Sequence, residues 1–233
     1  MAQKPLGGRQ RARLAGLAVE ALVPDLKPSI YLSTLCYGGM AHASYMDSLL
    51  ALRAACAERQ VPLQIDLSGG EALVCRGRAA AMAKFLATSA SHLLIVGSDV
   101  RFLPATIFRL LDFAVEVAGA ALSPADVQPD PDERQQRDGF QAVAGIGSGL
   151  LLISREAASR MTEGYPELTA KFGDMPSAGV TQAVMVFDSM RDPATGRYLA
   201  DYYAFCRRWR ALGGKIWADT EQPYPQLAMA QKC

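Results

Sequence analysis

Apolar residues fall along this chain in two alternating rhythms. Ile30-Tyr-Leu-Ser-Thr34, Pro62-Leu-Gln-Ile-Asp66 and His92-Leu-Leu-Ile-Val96 are short runs rich in β-branched, aromatic and aliphatic residues, the pattern of buried strands. Between them, Ser44 to Arg59 places Met46, Leu49, Leu50 and Leu52 at helical spacing, and Arg76 to Ala87 is an alanine-rich helix former. The first two runs lead into the glycine pairs Gly38-Gly39 and Gly69-Gly70, and the third into Gly97-Ser98-Asp99. A helix is expected from Pro104 to about Val117, then a short strand at Ala118 to Leu122. Ser123 to Gly139, rich in Pro, Asp, Gln and Arg, reads as a loop or lid.

The second half continues with Gly145-Ile-Gly-Ser-Gly149 running into a strand at Leu150-Leu-Leu-Ile153, then a helix from Arg155 to Met161. A strand at Val184 to Phe187, a turn at Asp192 to Gly196, a helix from Tyr202 to Leu212 closed by Gly213-Gly214, and a last strand at Lys215 to Ala218 follow. Strands alternating with helices predict an α/β fold, a mainly parallel sheet flanked by helices on both faces. Such sheets take ligands at the carboxyl ends of their strands. With no internal repeat or linker, the chain reads as an N-terminal helix or flexible lead-in over residues 1–28 and one domain over residues 29–233.

Composition narrows the chemistry. The 24 basic and 23 acidic side chains nearly cancel, so no broad positive field points to nucleic acid or an anionic membrane. Five scattered cysteines without a C-x-x-C pair fit neither a disulfide framework nor a zinc site, and favour a cytoplasmic setting. With only His42 and His92, histidine-centred catalysis has little raw material. Arg9, Arg11 and Arg13 precede Leu14-Ala-Gly-Leu-Ala-Val, but Glu20 interrupts a stretch too short for a secretory signal. No run approaches the ~20 apolar residues of a membrane span.

The order of pieces then resembles a known family. Thr34-Leu-Cys-Tyr-Gly-Gly39, Glu71 with Arg76-Gly-Arg78, and Gly97-Ser-Asp99 after an apolar strand resemble the bacterial GT-A glycosyltransferases related to family 2. Gly147-Ser-Gly-Leu-Leu-Leu-Ile153 resembles the family's Gly-Thr-Gly-Phe-Met-Leu-Ile segment, and Asp201-Tyr-Tyr-Ala-Phe-Cys-Arg-Arg-Trp209 its Glu-Asp-Tyr-Ala-Phe-Cys-Arg-Arg-Trp segment. The likeness runs from about Ile30 to Asp219. It implies a nucleoside-diphosphate-sugar site in which Thr34, Cys36 and Tyr37 line the nucleobase pocket and Asp66 lies near base or ribose. It also implies Arg76 and Arg78 on the diphosphate, where guanidinium forks and a helix N-terminus suit phosphate oxygens. Ser98 and Asp99 stand where a D-x-D motif would hold Mn²⁺ or Mg²⁺. Gly147, Ser148 and Gly149 fall on the acceptor side, and Asp201 is the candidate base.

The chain departs from that pattern at four places. Gly97 replaces the first acid of D-x-D, Ala79 the Asn after Arg-x-Arg, and Tyr202 the expected base; Pro223-Tyr-Pro-Gln226 occupies the region of a frequent histidine. Two functions follow: sugar transfer to a saccharide, lipid or protein acceptor, or a catalytically inactive GT-A-like module for nucleotide binding, scaffolding or assembly. Each motif also has a plain structural reading. Gly38-Gly39 makes a tight turn, Arg76 pairs with Glu71, and Asp99 caps a turn. Phe205, Trp209 and Leu212 at helical spacing are core, and Arg207, Arg208 and Arg210 form a solvated basic cluster or mark an acidic partner.

Overall fold

The computed structural model describes residues 28–132, 134–147, 149–173, 177, 179–221 and 225–227. The lead-in expected over residues 1–28 therefore lies outside the described residues, apart from Pro28. The strands are β1 (Ile30–Cys36), β2 (Leu63–Gly69), β3 (His92–Val96), β4 (Val100–Arg101), β5 (Val117–Ala121), β6 (Val127–Pro129), β7 (Gln136–Arg137), β8 (Phe140–Ile146), β9 (Gly149–Ser154), β10 (Thr169–Lys171), β11 (Gln182–Val184), β12 (Met190–Arg191), β13 (Tyr198–Leu199), β14 (Ile216–Asp219) and β15 (Gln226–Leu227). The helices are α1 (Ala43–Glu58), α2 (Val74–Leu86), α3 (Pro104–Asp112), α4 (Arg155–Gly164) and α5 (Asp201–Ala211).

A nine-stranded sheet in the order β2-β1-β3-β9-β5-β14-β8-β6, with β7 also on β8, forms the centre. β1 pairs in parallel with β2 and β3, and β5 with β14. β9 is antiparallel to both β3 and β5 and joins them, so β1, β2, β3, β5 and β14 all run one way. The sheet is thus mixed but mostly parallel in direction, with its carboxyl ends gathered along one edge.

Helices cover both faces. Met82 and Phe85 of α2, Ala157, Ala158 and Met161 of α4, and Phe205, Cys206 and Trp209 of α5 pack on one. On the other, α1 lays down Tyr45, Leu49, Leu52 and Cys56, spaced as one helical stripe, beside Ile107, Leu110 and Leu111 of α3. Trp217 is also core.

Local chemistry sets the helix ends. The Ser154 hydroxyl accepts from the Ala157 N–H at 3.1 Å to cap α4, and Pro104 opens α3. α5 closes as the glycine pair predicts: the Gly213 N–H bonds the Arg210 carbonyl and the Gly214 N–H the Trp209 carbonyl, with Gly213 at φ +80°. A methyl group on Gly214 would lie 2.0 Å from the Trp209 indole, so this turn packs directly beneath that ring.

Four expectations need correction. α3 ends at Asp112, not near Val117, because the chain turns at Ala114 (φ +52°) to begin β5. β2 extends three residues further, to Gly69, since parallel pairing with β1 continues to Cys36. Val184 to Phe187 is not a strand; pairing with β10 uses Gln182–Val184, and a turn follows. The polar Ser123–Gly139 segment is not merely a loop: β6 and β7 pair with β8 at the sheet's margin.

Candidate functional site

The loops after β1, β2 and β3 meet at the carboxyl edge. β1 runs into a 3-10 turn, Tyr37–Gly39, where Gly38 and Gly39 take φ +63° and +75°, values that side chains disfavour. A Cβ on Gly69, at the end of β2, would stand 3.5 Å from the Gly39 Cα. The His42 N–H donates to the Ser98 carbonyl at 2.9 Å, tying the first loop to the third. The glycines of these loops therefore let three strand ends approach one another.

Within this region the predicted nucleobase residues differ in access. Thr34 is fully buried, its hydroxyl 2.7 Å from the Tyr45 hydroxyl. Cys36 is buried and its thiol is pushed up by that burial, which disfavours the thiolate. Tyr37, by contrast, is 73% exposed. Asp66 sits mid-strand opposite Ser33. Its carboxylate accepts from Lys84 Nζ at 2.7 Å, Ser68 at 3.1 Å and Ser33 at 3.4 Å, so it ties β2 to β1 and α2.

Gly97 and Val100 close the turn after β3 through a 3.1 Å hydrogen bond between backbones. Ser98 is half-buried within it, and Asp99 is exposed. Among the described residues the Asp99 carboxylate accepts no hydrogen bond and forms no ion pair. Among the described residues, too, no three His, Cys, Asp or Glu side chains are grouped to hold a metal. One carboxylate is a partial ligand set for Mg²⁺, which takes six oxygens, so the residues present fit a cation only where a diphosphate and water bring the remaining oxygens.

The two arginines of α2 diverge. Arg76 grips Glu71 bidentately, Nε to Oε2 at 2.8 Å and an Nη to Oε1 at 3.0 Å. Glu71 is buried and also accepts from the Ser177 hydroxyl and the Leu73 N–H. Burial alone would raise the Glu71 carboxyl, but the hydrogen bonds from Arg76, Ser177 and Leu73 outweigh it and hold it at about 2. The plain reading of Arg76 as the partner of Glu71 holds. Arg78 forms an ion pair with Asp201, and its guanidinium lies 3.8 Å over the Tyr202 ring. Asp201 is the first residue of α5, where a carboxylate also complements the helix dipole.

The acceptor-side glycines have packing roles. A Cβ on Gly147 would meet the Tyr203 hydroxyl at 2.7 Å, and one on Gly149 (φ +135°) the Ala120 carbonyl at 2.2 Å. Ser148 lies outside the described residues. The structure thus brings Arg78 to Asp201 and the Ser98 loop to the β1 loop. Asp66 and Arg76 are each held by separate internal partners.

Sequence reasoning left two site contacts unmarked. Ser177 on Glu71 and Lys84 on Asp66 belong to segments 106 and 18 residues away. A Lys about three turns into an alanine-rich helix carries no local sign that it reaches a strand acid.

No family model matches this chain, and no curated protein matches it. Solved structures of similar course include A197 from STIV, at 12% identity and TM-score 0.47 over 82% of this chain and 81% of that one. The catalytic domain of Drosophila β1,4-galactosyltransferase 7, in complex with xylobiose, aligns at 10% identity and TM-score 0.47 over 88% and 76%. The nucleoside-diphosphate-sugar pyrophosphorylase from Vibrio cholerae RC9 aligns at 10% identity and TM-score 0.42 over 81% and 90%. These likenesses concern the path of the chain through a helix-flanked, mostly parallel sheet.

Proposed function

We propose that this chain binds a nucleoside-diphosphate sugar at the carboxyl edge of its sheet and transfers the sugar to a saccharide, lipid or protein acceptor. The observation that carries the reading is the Asp99 carboxylate, exposed in the turn after β3 and without a partner among the described residues. It stands beside a loop joined to the Gly38-Gly39 turn through His42 and Ser98. A strand-end carboxylate is the group that a cation-bound diphosphate needs, and a divalent cation there would offset charge on the departing nucleoside diphosphate.

On this reading Tyr37 contacts the base, Ser98 and Asp99 the ribose or the cation, and Arg78 the diphosphate. Asp201 takes the acceptor hydroxyl's proton as that oxygen bonds to the anomeric carbon and the carbon–oxygen bond to the diphosphate breaks. Because Asp201 is ion-paired with Arg78, that step requires the guanidinium to turn from the carboxylate to the phosphates when the donor arrives. Thr34, Asp66 and Arg76 support the loops, through the Tyr45, Lys84 and Glu71 contacts described above, and Cys36 is buried at the end of β1.

The same ion pair favours a second reading, a nucleotide-binding, scaffolding or assembly module without catalysis. An arginine and an acid that satisfy each other serve stability as they stand. Calorimetric titration with UDP, GDP and their sugars, with and without Mn²⁺, tests the first reading. Mn²⁺-dependent binding that Asp99→Ala abolishes supports it; affinity unchanged in Asp99→Ala overturns it. Donor binding without turnover of the sugar, with any acceptor or with water, selects the second.

A further inference from the structure

The two margins of the central sheet are built differently. On the β8 side, β6 ends in Pro129 and shifts register between Gln128 and Pro129, and β7 is only Gln136–Arg137. Proline, irregular register, short length and charge are the devices that keep a sheet edge from recruiting foreign strands. On the opposite side β2 runs seven residues in unbroken register with β1, and among the described residues it pairs with no other strand. It contains neither proline nor a basic residue. Its single charge, Asp66, is held by Lys84 of α2.

The free side of β2 can be read from its pairing. The Pro62 carbonyl accepts from the Ile30 N–H at 2.8 Å. Backbone groups alternate sides along a strand, so those of Leu63, Ile65 and Leu67 turn away from β1. The side chains of the same three residues share one face of the sheet, and Leu63 packs with the α1 cluster of Leu49 and Leu52. That cluster covers Ile30 and Leu32 of β1 and Leu94 and Val96 of β3. It stops short of the edge, where Ile65 and Leu67 remain 36% and 44% exposed.

We infer that β2 is an interface with a second copy of this chain, the two strands pairing antiparallel across a two-fold axis at Ile65. The sequence of the edge selects this occupant. Leu63-Gln-Ile-Asp-Leu67 alternates apolar and polar residues identically from either end, the self-complementarity that a two-fold requires. Ile65 then meets its mate and Leu63 meets Leu67, at positions whose backbone groups face outward on both strands. The uncovered apolar row of one copy lies beside that of the other. Gln64 stands opposite Asp66, whereas an axis at Asp66 would oppose two carboxylates, an unfavourable pair. Because the strands run in opposite directions, the carboxyl edges of the two copies open at opposite ends of one joined sheet. The pairing is independent of what those edges bind.

Sedimentation equilibrium of the full chain between about 1 and 100 μM tests this, a range suited to a small interface. We expect a reversible monomer–dimer equilibrium. Ile65→Lys sets a cation on the edge and should weaken it about tenfold or more. Gln64→Glu opposes a carboxylate to Asp66 twice in each dimer and should weaken it about tenfold. Tyr198→Lys, at an apolar residue 73% exposed on β13, should leave it unchanged, and thermal melts confirm that each variant is folded. A chain monomeric at every concentration overturns the inference and points to residues 1–27 or an unrelated strand as the cover of β2. A dimer that Ile65→Lys leaves intact overturns it by placing the contact elsewhere. A dimer lost in Ile65→Lys but indifferent to Gln64→Glu overturns the axis at Ile65.

Discussion

Arg78 in the second turn of α2 and Asp201 at the start of α5 form an ion pair, with the guanidinium lying on the Tyr202 ring. Both side chains are largely buried, at 14% and 22% exposure, so removing one leaves its partner short of compensation. Asp201→Ala should destabilise the fold by ~2 kcal/mol, a drop of about 4 to 8 °C in Tm for a chain of this size. The Arg78→Ala, Asp201→Ala double-mutant cycle should return a coupling of about 1 to 2 kcal/mol; additive single effects would show that the pair contributes nothing.

Asp99 should behave in the opposite way. With an exposed carboxylate and no partner among the described residues, Asp99→Ala should change stability by less than about 0.5 kcal/mol. Its effect should appear only with nucleotide and Mn²⁺ present, as loss of the ligand-induced rise in Tm.

Glu71 predicts an acid-dependent term. Its folded-state pKa is depressed from 4.5 to about 2, so its contribution is complete above pH 4.5 and drains away as pH falls towards 2. Urea melts of wild type and Glu71→Gln should differ most near neutral pH, and the gap should narrow across that window. A gap that widens on acidification would contradict the Arg76 and Ser177 contacts.

Arg155 closes the far end of α2. Its guanidinium donates to the carbonyls of Phe85 and Leu86 at 3.2 Å and of Thr88 and Ala90 at 2.8 Å. A lysine keeps the charge but not the planar fork. Arg155→Lys should cost ~2 kcal/mol in chemical denaturation, and amide exchange should quicken at the end of α2.

Gly149 tolerates no side chain. With φ +135° and a Cβ that would sit 2.2 Å from the Ala120 carbonyl, Gly149→Ala should disrupt the β5–β9 pairing and cost ~4 kcal/mol. The readout is soluble yield and Tm, with Gly173→Ala, which meets nothing within 4 Å but shares a positive φ, as the milder comparison.

What the chain made legible is local. β1, β3, α1 and the closure of α5 follow from periodicity, a glycine pair and residues within a few positions of one another. β9 was recognisable as a strand, but a run buried on both faces has no polar side to mark its direction, so its antiparallel insertion was invisible. β6 and β7 lie at the margin, where polar residues suit a strand and imitate a loop. The candidate site divides similarly. Asp99 could be placed from the strand before it, whereas the Arg78–Asp201 pair spans more than a hundred residues of sequence and depends on how α2 and α5 settle on the sheet.

The position of β9 also bears on how the chain is made. β3 and β5 do not pair with each other; each pairs with β9, which is translated some thirty residues after β5. As the chain leaves the ribosome, the β2-β1-β3 unit therefore waits with the edge of β3 open, and β5 waits with neither neighbour, since β14 follows later still; open edges recruit foreign strands. A nascent chain arrested before Gly149 should depend on chaperones to stay soluble, and release of the six residues of β9 should lessen that dependence, with β14 covering the last open side of β5.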